Sequence, residues 1–162
     1  MKRRIQDVDV KGKRVLLRCD FNVPIKDGHI LDDSKIVESL TTIEYLIRQG
    51  AKIIILSHFG KVKSEEDKAK NSLMPVAKHL QTLVSSKVIF STQTRSTYLS
   101  AKIEEMQPGD ILVLENTRFE DVPGKLESGN DPQLAMYWAD LADIFCLDAF
   151  GSCHRKHAST YG

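Results

Sequence analysis

Nowhere in its 162 residues does the chain hold an apolar run near the length needed to cross a bilayer. Its first residues, MKRRIQDVDVKGKR, are basic but lack the apolar core of a signal peptide. Charge of one sign is not in excess either: 23 Lys and Arg stand against 22 Asp and Glu, a formal net charge of +1. A general nucleic-acid binder carries a large basic surplus, so this balance argues against that class, and any anion site must be local. Cysteine is scarce. Cys19, Cys146 and Cys153 are odd in number and widely spaced, with no C-x-x-C pair. That pattern speaks against a disulfide framework or a four-ligand zinc site, and for a reducing compartment. There is no G-x-x-x-x-G-K-[ST], and no G-x-G-x-x-G follows the first apolar run, so no recognisable nucleotide phosphate loop is present. Repeats and low-complexity stretches are missing too. These absences leave a cytoplasmic globular chain of one-domain size, 41% hydrophobic and 28% charged, with no membrane segment.

What is present alternates. Short β-branched runs at Arg14–Cys19, Lys52–Leu56, Lys87–Ser91, Ile111–Leu114 and Asp143–Leu147 are nearly continuous in apolar residues. Strands buried on both faces, as in a parallel sheet, have that pattern. Between them lie segments of helical period: Ser34–Gln49, Ser72–Val84, Thr97–Met106 and Asp131–Ala142. Asp32 or Asp33 is placed to cap the first, and Gly50 to stop it. Ser72 is placed to cap the second, and Asp131-Pro132 opens the last. Lys61–Asn71 and Glu120–Asn130 read as surface loops. Strand–helix alternation predicts right-handed βαβ units and a three-layer Rossmann-like α/β fold, an open parallel sheet flanked by helices.

In such sheets ligands bind outside the carboxyl ends of the strands. Four of the predicted strand ends are followed by chemistry-bearing residues: Asp20-Phe21-Asn22, then Ser57-His58-Phe59-Gly60-Lys61, then Glu115-Asn116-Thr117-Arg118, then Asp148 through His154 and Arg155. The cations suit phosphate or carboxylate oxygens, Asp20 and Asn22 suit hydroxyl groups, and Gly60 and Gly151 let backbone approach a ligand. Lys35 falls in a first helical turn, where the helix dipole disfavours a cation by about 0.3–1 kcal/mol. Each feature also has a plainer explanation. Asp and Asn favour turns, His58 could be a hydrogen-bonded structural residue, and Arg118 could pair with Glu115 or Glu120 at the surface. Cys153-His154-x-x-His157 superficially resembles a metal or thiol cluster, but no fourth ligand lies at a fitting spacing. Convergence on one edge is what favours an anion site.

These motifs, in this order, resemble phosphoglycerate kinase from about Arg14 to Gly162. The most specific pieces are RCDFNVP (18–24), GAKIIILSHFGK (50–61), SLMPVAKHL (72–80), ENTRFED (115–121) and DAFGSCHRKHAST (148–160). The resemblance implies reversible phosphoryl transfer from 1,3-bisphosphoglycerate to ADP, giving 3-phosphoglycerate and ATP. It implies a monomeric enzyme of two Rossmann-like domains, of which residues 1–162 would be the N-terminal, phosphoglycerate-binding one. The magnesium nucleotide, ATP or ADP, would sit on a C-terminal domain that this chain lacks, so no cofactor or metal is expected within it. By the same resemblance, Asp20, Phe21 and Asn22 would contact the acid and hydroxyl end of the substrate. His58, Phe59, Gly60 and Lys61, with Arg118 and Arg155, would bind its phosphate. Lys35 would be catalytic, standing where the family has an arginine that steadies the transferring phosphoryl group.

The chain departs from the family pattern at Lys35, and at Gly60-Lys61-Val62 where Gly-Arg-Pro is usual. Lysine keeps the charge but loses the planar two-point fork, so weaker binding or slower transfer is expected. Without the nucleotide half, the chain is expected to be inactive alone. A truncated, non-catalytic module that binds phosphoglycerate or another partner is the alternative reading.

Overall fold

The computed structural model describes residues 3–4, 6, 8–57, 64–66, 71–93, 97–117, 137–138, 140–147 and 152–155. In chain order the elements are β1 (Arg3–Arg4), β2 (Arg14–Arg18), β3 (Ile25–Lys26), β4 (His29–Ile30), α1 (Ser34–Arg48), β5 (Lys52–Leu56), α2 (Met74–Leu83), β6 (Val88–Ser91), α3 (Thr97–Glu104), β7 (Ile111–Leu114), β8 (Ile144–Leu147) and β9 (Ser152–Arg155). One sheet has the order β1-β9-β8-β2-β5-β7-β6. Five of its strands, β8-β2-β5-β7-β6, pair in parallel. The predicted open parallel α/β sheet is therefore present, with each of the five apolar runs forming one strand.

The strand runs are continuous in apolar residues because both faces are covered. Successive residues point to opposite faces, and the burial divides accordingly. Val15, Leu17, Ile53, Ile55, Ile111 and Val113 pack with Ile36, Ile43 and Leu46 of α1 and Val76, Ala77 and Leu80 of α2. Leu16, Ile54, Leu56, Leu112 and Leu114 pack on the other face with Leu99 and Ile103 of α3 and with Met106, Trp138 and Leu141. Each such side chain contributes about 1.5–3 kcal/mol when taken fully out of water.

Helix α1 matches its predicted span to within one residue at its end. Gly50 takes φ +76° there, the left-handed conformation a side chain resists. At its start, Asp33 occupies the cap position but makes no side-chain cap bond. Its carboxylate lies 2.9 Å from His79 Nε2 on α2 instead. Asp32 takes the capping role from one residue earlier, accepting hydrogen bonds from the Ser34 N–H at 2.9 Å and from the Ser34 hydroxyl. Those two donors, the hydroxyl first, hold the Asp32 carboxyl below its usual range.

Helix α2 begins at Met74, two residues later than the sequence suggests, with proline in its opening turn. From its far end Gln81 reaches the outer strand: Oε1 accepts the Val88 N–H at 2.9 Å, and Nε2 donates to the Ser86 carbonyl at 2.8 Å. Between β2 and α1 stands a hairpin, β3 paired with β4 in antiparallel. Its turn residues Asp27 and Gly28 have φ +52° and +78°, the pair of positive values that a tight two-residue hairpin turn requires.

The antiparallel edge formed by β9 and β1 is not signalled in the sequence. β9 pairs with β8, and β1 pairs with β9. The register sets Cys146 opposite Cys153, and Cys146 is disulfide-bonded, which corrects the expectation that the cysteines stay reduced. Cys19 is a buried thiol. Of the helix predicted over Asp131–Ala142 only the end is described, with helical geometry at residues 137–138. The predicted loop Glu120–Asn130 lies outside the described residues, and so does most of Lys61–Asn71.

Candidate functional site

Two neighbouring strands of the sheet send the chain to opposite faces. After β5 it goes to α2, on the face that also carries α1. After β7 it goes to Trp138 and Leu141, on the other face. β5 and β7 are adjacent and parallel, so their carboxyl ends border a topological switch point. Such switch points are where open α/β sheets hold ligands. Residues 57–61 and 115–118 follow these two strands directly, and Asp20 to Asn22 follow β2, the other neighbour of β5.

Buried hydrogen bonds fasten these strand ends together. The Ser57 hydroxyl accepts the Phe21 N–H at 2.9 Å. The Ser57 carbonyl accepts the Thr117 N–H at 3.0 Å. Next to Thr117, the Asn116 side chain donates to the Asn71 carbonyl at 2.8 Å. Glu115 Oε2 accepts the Ser72 hydroxyl at 2.6 Å, and Oε1 accepts the N–H groups of Leu73 at 2.7 Å and Asn116 at 2.8 Å. Ser57, Glu115, Asn116 and Thr117 are all buried. A buried carboxylate is tolerated when its lone pairs are filled in this way. The possibility of Glu115 as a surface partner for Arg118 is corrected accordingly: the side chain is buried and three donors from its own surroundings occupy it.

On the open side of this framework, Lys35 Nζ lies 3.1 Å from Asp20 Oδ2, with both side chains about half exposed. Asp20 Oδ1 also accepts the Asn22 N–H at 3.1 Å, which folds the segment back on itself. Asp20, Asn22 and Lys35 are thus gathered beside the carboxyl end of β2, and Asn22 is exposed. Phe21, expected at the acid and hydroxyl end of the substrate, stands between Asp20 and Asn22 in the chain. Phe21 has no exposed surface and packs in the core, with its N–H taken by Ser57. It anchors the segment that carries its two neighbours.

Arg155 and His154 are not at this edge. β9 runs back along β8, so that His154 pairs with Phe145 and Arg155 with Ile144, the first residue of β8. Three residues of strand, about 10 Å, separate that position from the carboxyl end of β8. The expectation that they join the strand-end cluster assumed that the chain stays at the carboxyl edge after Leu147. His58, Phe59, Gly60, Lys61 and Arg118 lie outside the described residues. Among the described residues no group of three or more histidine, cysteine or carboxylate side chains is placed to hold a metal ion, and no helix is long and apolar enough to cross a membrane.

Comparison with known proteins agrees with this geometry. The family model of phosphoglycerate kinase matches residues 5–162. The phosphoglycerate kinase of Macrococcus caseolyticus is 55% identical over 162 residues, all of this chain and 41% of that protein. That of Staphylococcus aureus is 53% identical over 161 residues, 99% of this chain and again 41% of the relative. Among solved structures, the phosphoglycerate kinase of Coxiella burnetii superposes with a TM-score of 0.74 at 33% identity, over 91% of this chain and 35% of that one. The enzyme of Pyrococcus horikoshii gives 0.73 at 33% identity, over 90% and 36%. The chain spans about two fifths of the length of the curated relatives. With strand order, strand-end motifs and a family match over nearly every residue in agreement, the chain belongs to the phosphoglycerate kinase family.

Proposed function

We propose that these residues form the phosphoglycerate-binding domain of a phosphoglycerate kinase, which transfers a phosphoryl group reversibly between 1,3-bisphosphoglycerate and ADP in the cytoplasm. The observation that carries the reading is the Asp20–Lys35 pair beside Asn22, at the carboxyl end of β2 and next to the β5–β7 switch point. The pair offers a carboxylate and an amide to the substrate's hydroxyl end, and a cation to developing negative charge. His58 to Lys61 and Arg118 follow directly in sequence from Ser57 and Thr117, beyond the carboxyl ends of β5 and β7. They are assigned to the phosphate of 3-phosphoglycerate. Arg155 is assigned by resemblance alone, and a contact from it requires β9 to leave its pairing with β8.

In the direction that makes 1,3-bisphosphoglycerate, a carboxylate oxygen of 3-phosphoglycerate forms a bond to the terminal phosphorus of ATP, and the bond from that phosphorus to the ADP oxygen breaks. The attacking carboxylate is already ionised, so no general base is required. Catalysis rests on position and on compensating charge. Lys35 is proposed to meet the equatorial oxygens of the transferring group, held by Asp20 until substrate arrives. The magnesium nucleotide would neutralise the phosphate charges. It is assigned to the part of the relatives that this chain does not match, and a monomer working through its two domains is the expected assembly.

Titration of the 162-residue chain with 3-phosphoglycerate, followed by amide chemical shifts, tests the reading. Shifts are expected at Asn22, Lys35, Thr117 and the residues between Ser57 and Lys61, at millimolar ligand. No response at these positions would reject the site.

A further inference from the structure

We propose that Ser57 and Glu115 are positioning residues that clamp both ends of the 58–70 segment against its neighbours, and so set the spacing between the hydroxyl and phosphate halves of the site. The inference rests on the phosphoglycerate-binding reading above. Ser57 is the last residue before His58. Its hydroxyl holds the Phe21 N–H, between Asp20 and Asn22, and its carbonyl holds the Thr117 N–H, immediately before Arg118. One buried residue therefore fixes the segments after β2 and β7 relative to the start of 58–70. At the other end, Asn71 to Leu73 are held by the residues after β7: the Asn71 carbonyl by the Asn116 side chain, and the Ser72 hydroxyl and Leu73 N–H by Glu115. Both ends of the segment that carries His58 and Lys61 are thus bonded to residues 115–117, which lead into Arg118.

The residue types fit this task better than the task of binding. Ser57 and Glu115 are buried, at 2% and 5% exposure, so neither is open to a ligand. A carboxylate among cations that await an anion would oppose binding if it faced the ligand. Glu115 instead turns both oxygens to a hydroxyl and two backbone N–H groups. The pairs Phe21–Ser57 and Leu73–Glu115 join residues 36 and 42 positions apart, so each tie holds together distant stretches that local turns cannot align. Misplacing binding groups by about 1 Å costs as much as about 100-fold in a preorganised site.

The test compares Ser57→Ala, Ser57→Thr, Glu115→Ala and Glu115→Gln in this chain, by 3-phosphoglycerate titration, thermal melting and amide hydrogen exchange. Ser57→Ala is expected to speed exchange at Phe21 and to raise the Kd about tenfold, more than its loss of stability explains. Ser57→Thr keeps the hydroxyl acceptor, and Glu115→Gln keeps the oxygen that takes the Leu73 and Asn116 N–H groups while its amide can donate to the Ser72 hydroxyl, so both should restore tight binding. A folded Ser57→Ala protein that binds like the wild type overturns the proposal. If the alanine variants do not fold, the conservative variants decide: folded but weak binders would equally overturn it. Should the wild type itself not respond to 3-phosphoglycerate, the functional reading fails separately. Exchange at Phe21 and Leu73 in the ligand-free variants then tests the clamp alone, and unchanged exchange rejects it.

Discussion

A lysine in the first turn of a helix faces the positive end of the helix dipole, at a cost of about 0.3–1 kcal/mol. The ion pair of Lys35 with Asp20 is half exposed, and such pairs return about 0.2–1 kcal/mol. The two effects cancel, so stability does not account for a lysine at this position. Lys35→Ala should therefore shift the melting free energy by no more than about 0.5 kcal/mol, while 3-phosphoglycerate binding falls markedly in a calorimetric titration. Lys35→Arg combined with Lys61→Arg supplies planar forks and should tighten binding or speed transfer several-fold, because paired hydrogen bonds to phosphate are regained. No gain in either would remove the significance of these two lysines. Asp20, Asn22 and Lys35 were legible in the sequence because each stands at a predictable place, after a strand or at a helix start. Ser57 and Glu115 were not legible as positioning groups, since the Phe21, Ser72 and Leu73 partners of their side chains lie 36 to 43 residues away. The burial of Phe21 was not legible, because the strand-end rule places a residue at an edge but does not say which way its side chain turns.

At the level of the element, the start of α1 depends on one carboxylate outside the helix. Asp32 accepts two bonds from Ser34, and its folded pKa is depressed. A depressed carboxyl contributes stability that is present above its unfolded value and is lost as pH falls through the folded one. The Ser34 amide should therefore lose exchange protection as pH falls through that lowered value. Asp32→Asn should remove that acid step, as read from Ser34 shifts across a pH titration. At the other end of the helix, Gly50→Ala meets only the Lys11 side chain at 3.7 Å, an ordinary contact. Its cost is backbone strain at φ +76°, about 1–2 kcal/mol in denaturant melts. The helices and central strands were readable from period and apolar continuity. The β3–β4 hairpin escaped because its strands are two residues long, although Asp27-Gly28 is the standard signal for such a turn. The return of β9 escaped because Ser-Cys-His-Arg has no strand pattern.

At the scale of the molecule, the described residues form two apolar clusters separated by the thickness of one sheet. Ile54 and Ile55 are consecutive and both fully buried, yet they serve different clusters. Truncating either to alanine should cost about 2–5 kcal/mol. Because α1, α2 and the Lys35 pair lie with the first cluster, Ile55→Ala is expected to perturb amide shifts at Lys35 more than Ile54→Ala does, at matched loss of melting temperature. The parallel order was legible because strands covered on both faces have a distinctive composition. The antiparallel edge was not, since it depends on short polar segments finding one another. The opposite edge of the sheet carries a consequence for solution behaviour. Val88 on β6 has its outward N–H satisfied by Gln81 from the helix of the same chain, which removes one of the donors a foreign strand needs for pairing. A single glutamine thus helps to keep the sheet from growing into an intermolecular one, and a stock of Gln81→Ala protein should turn cloudy on concentration sooner than the parent.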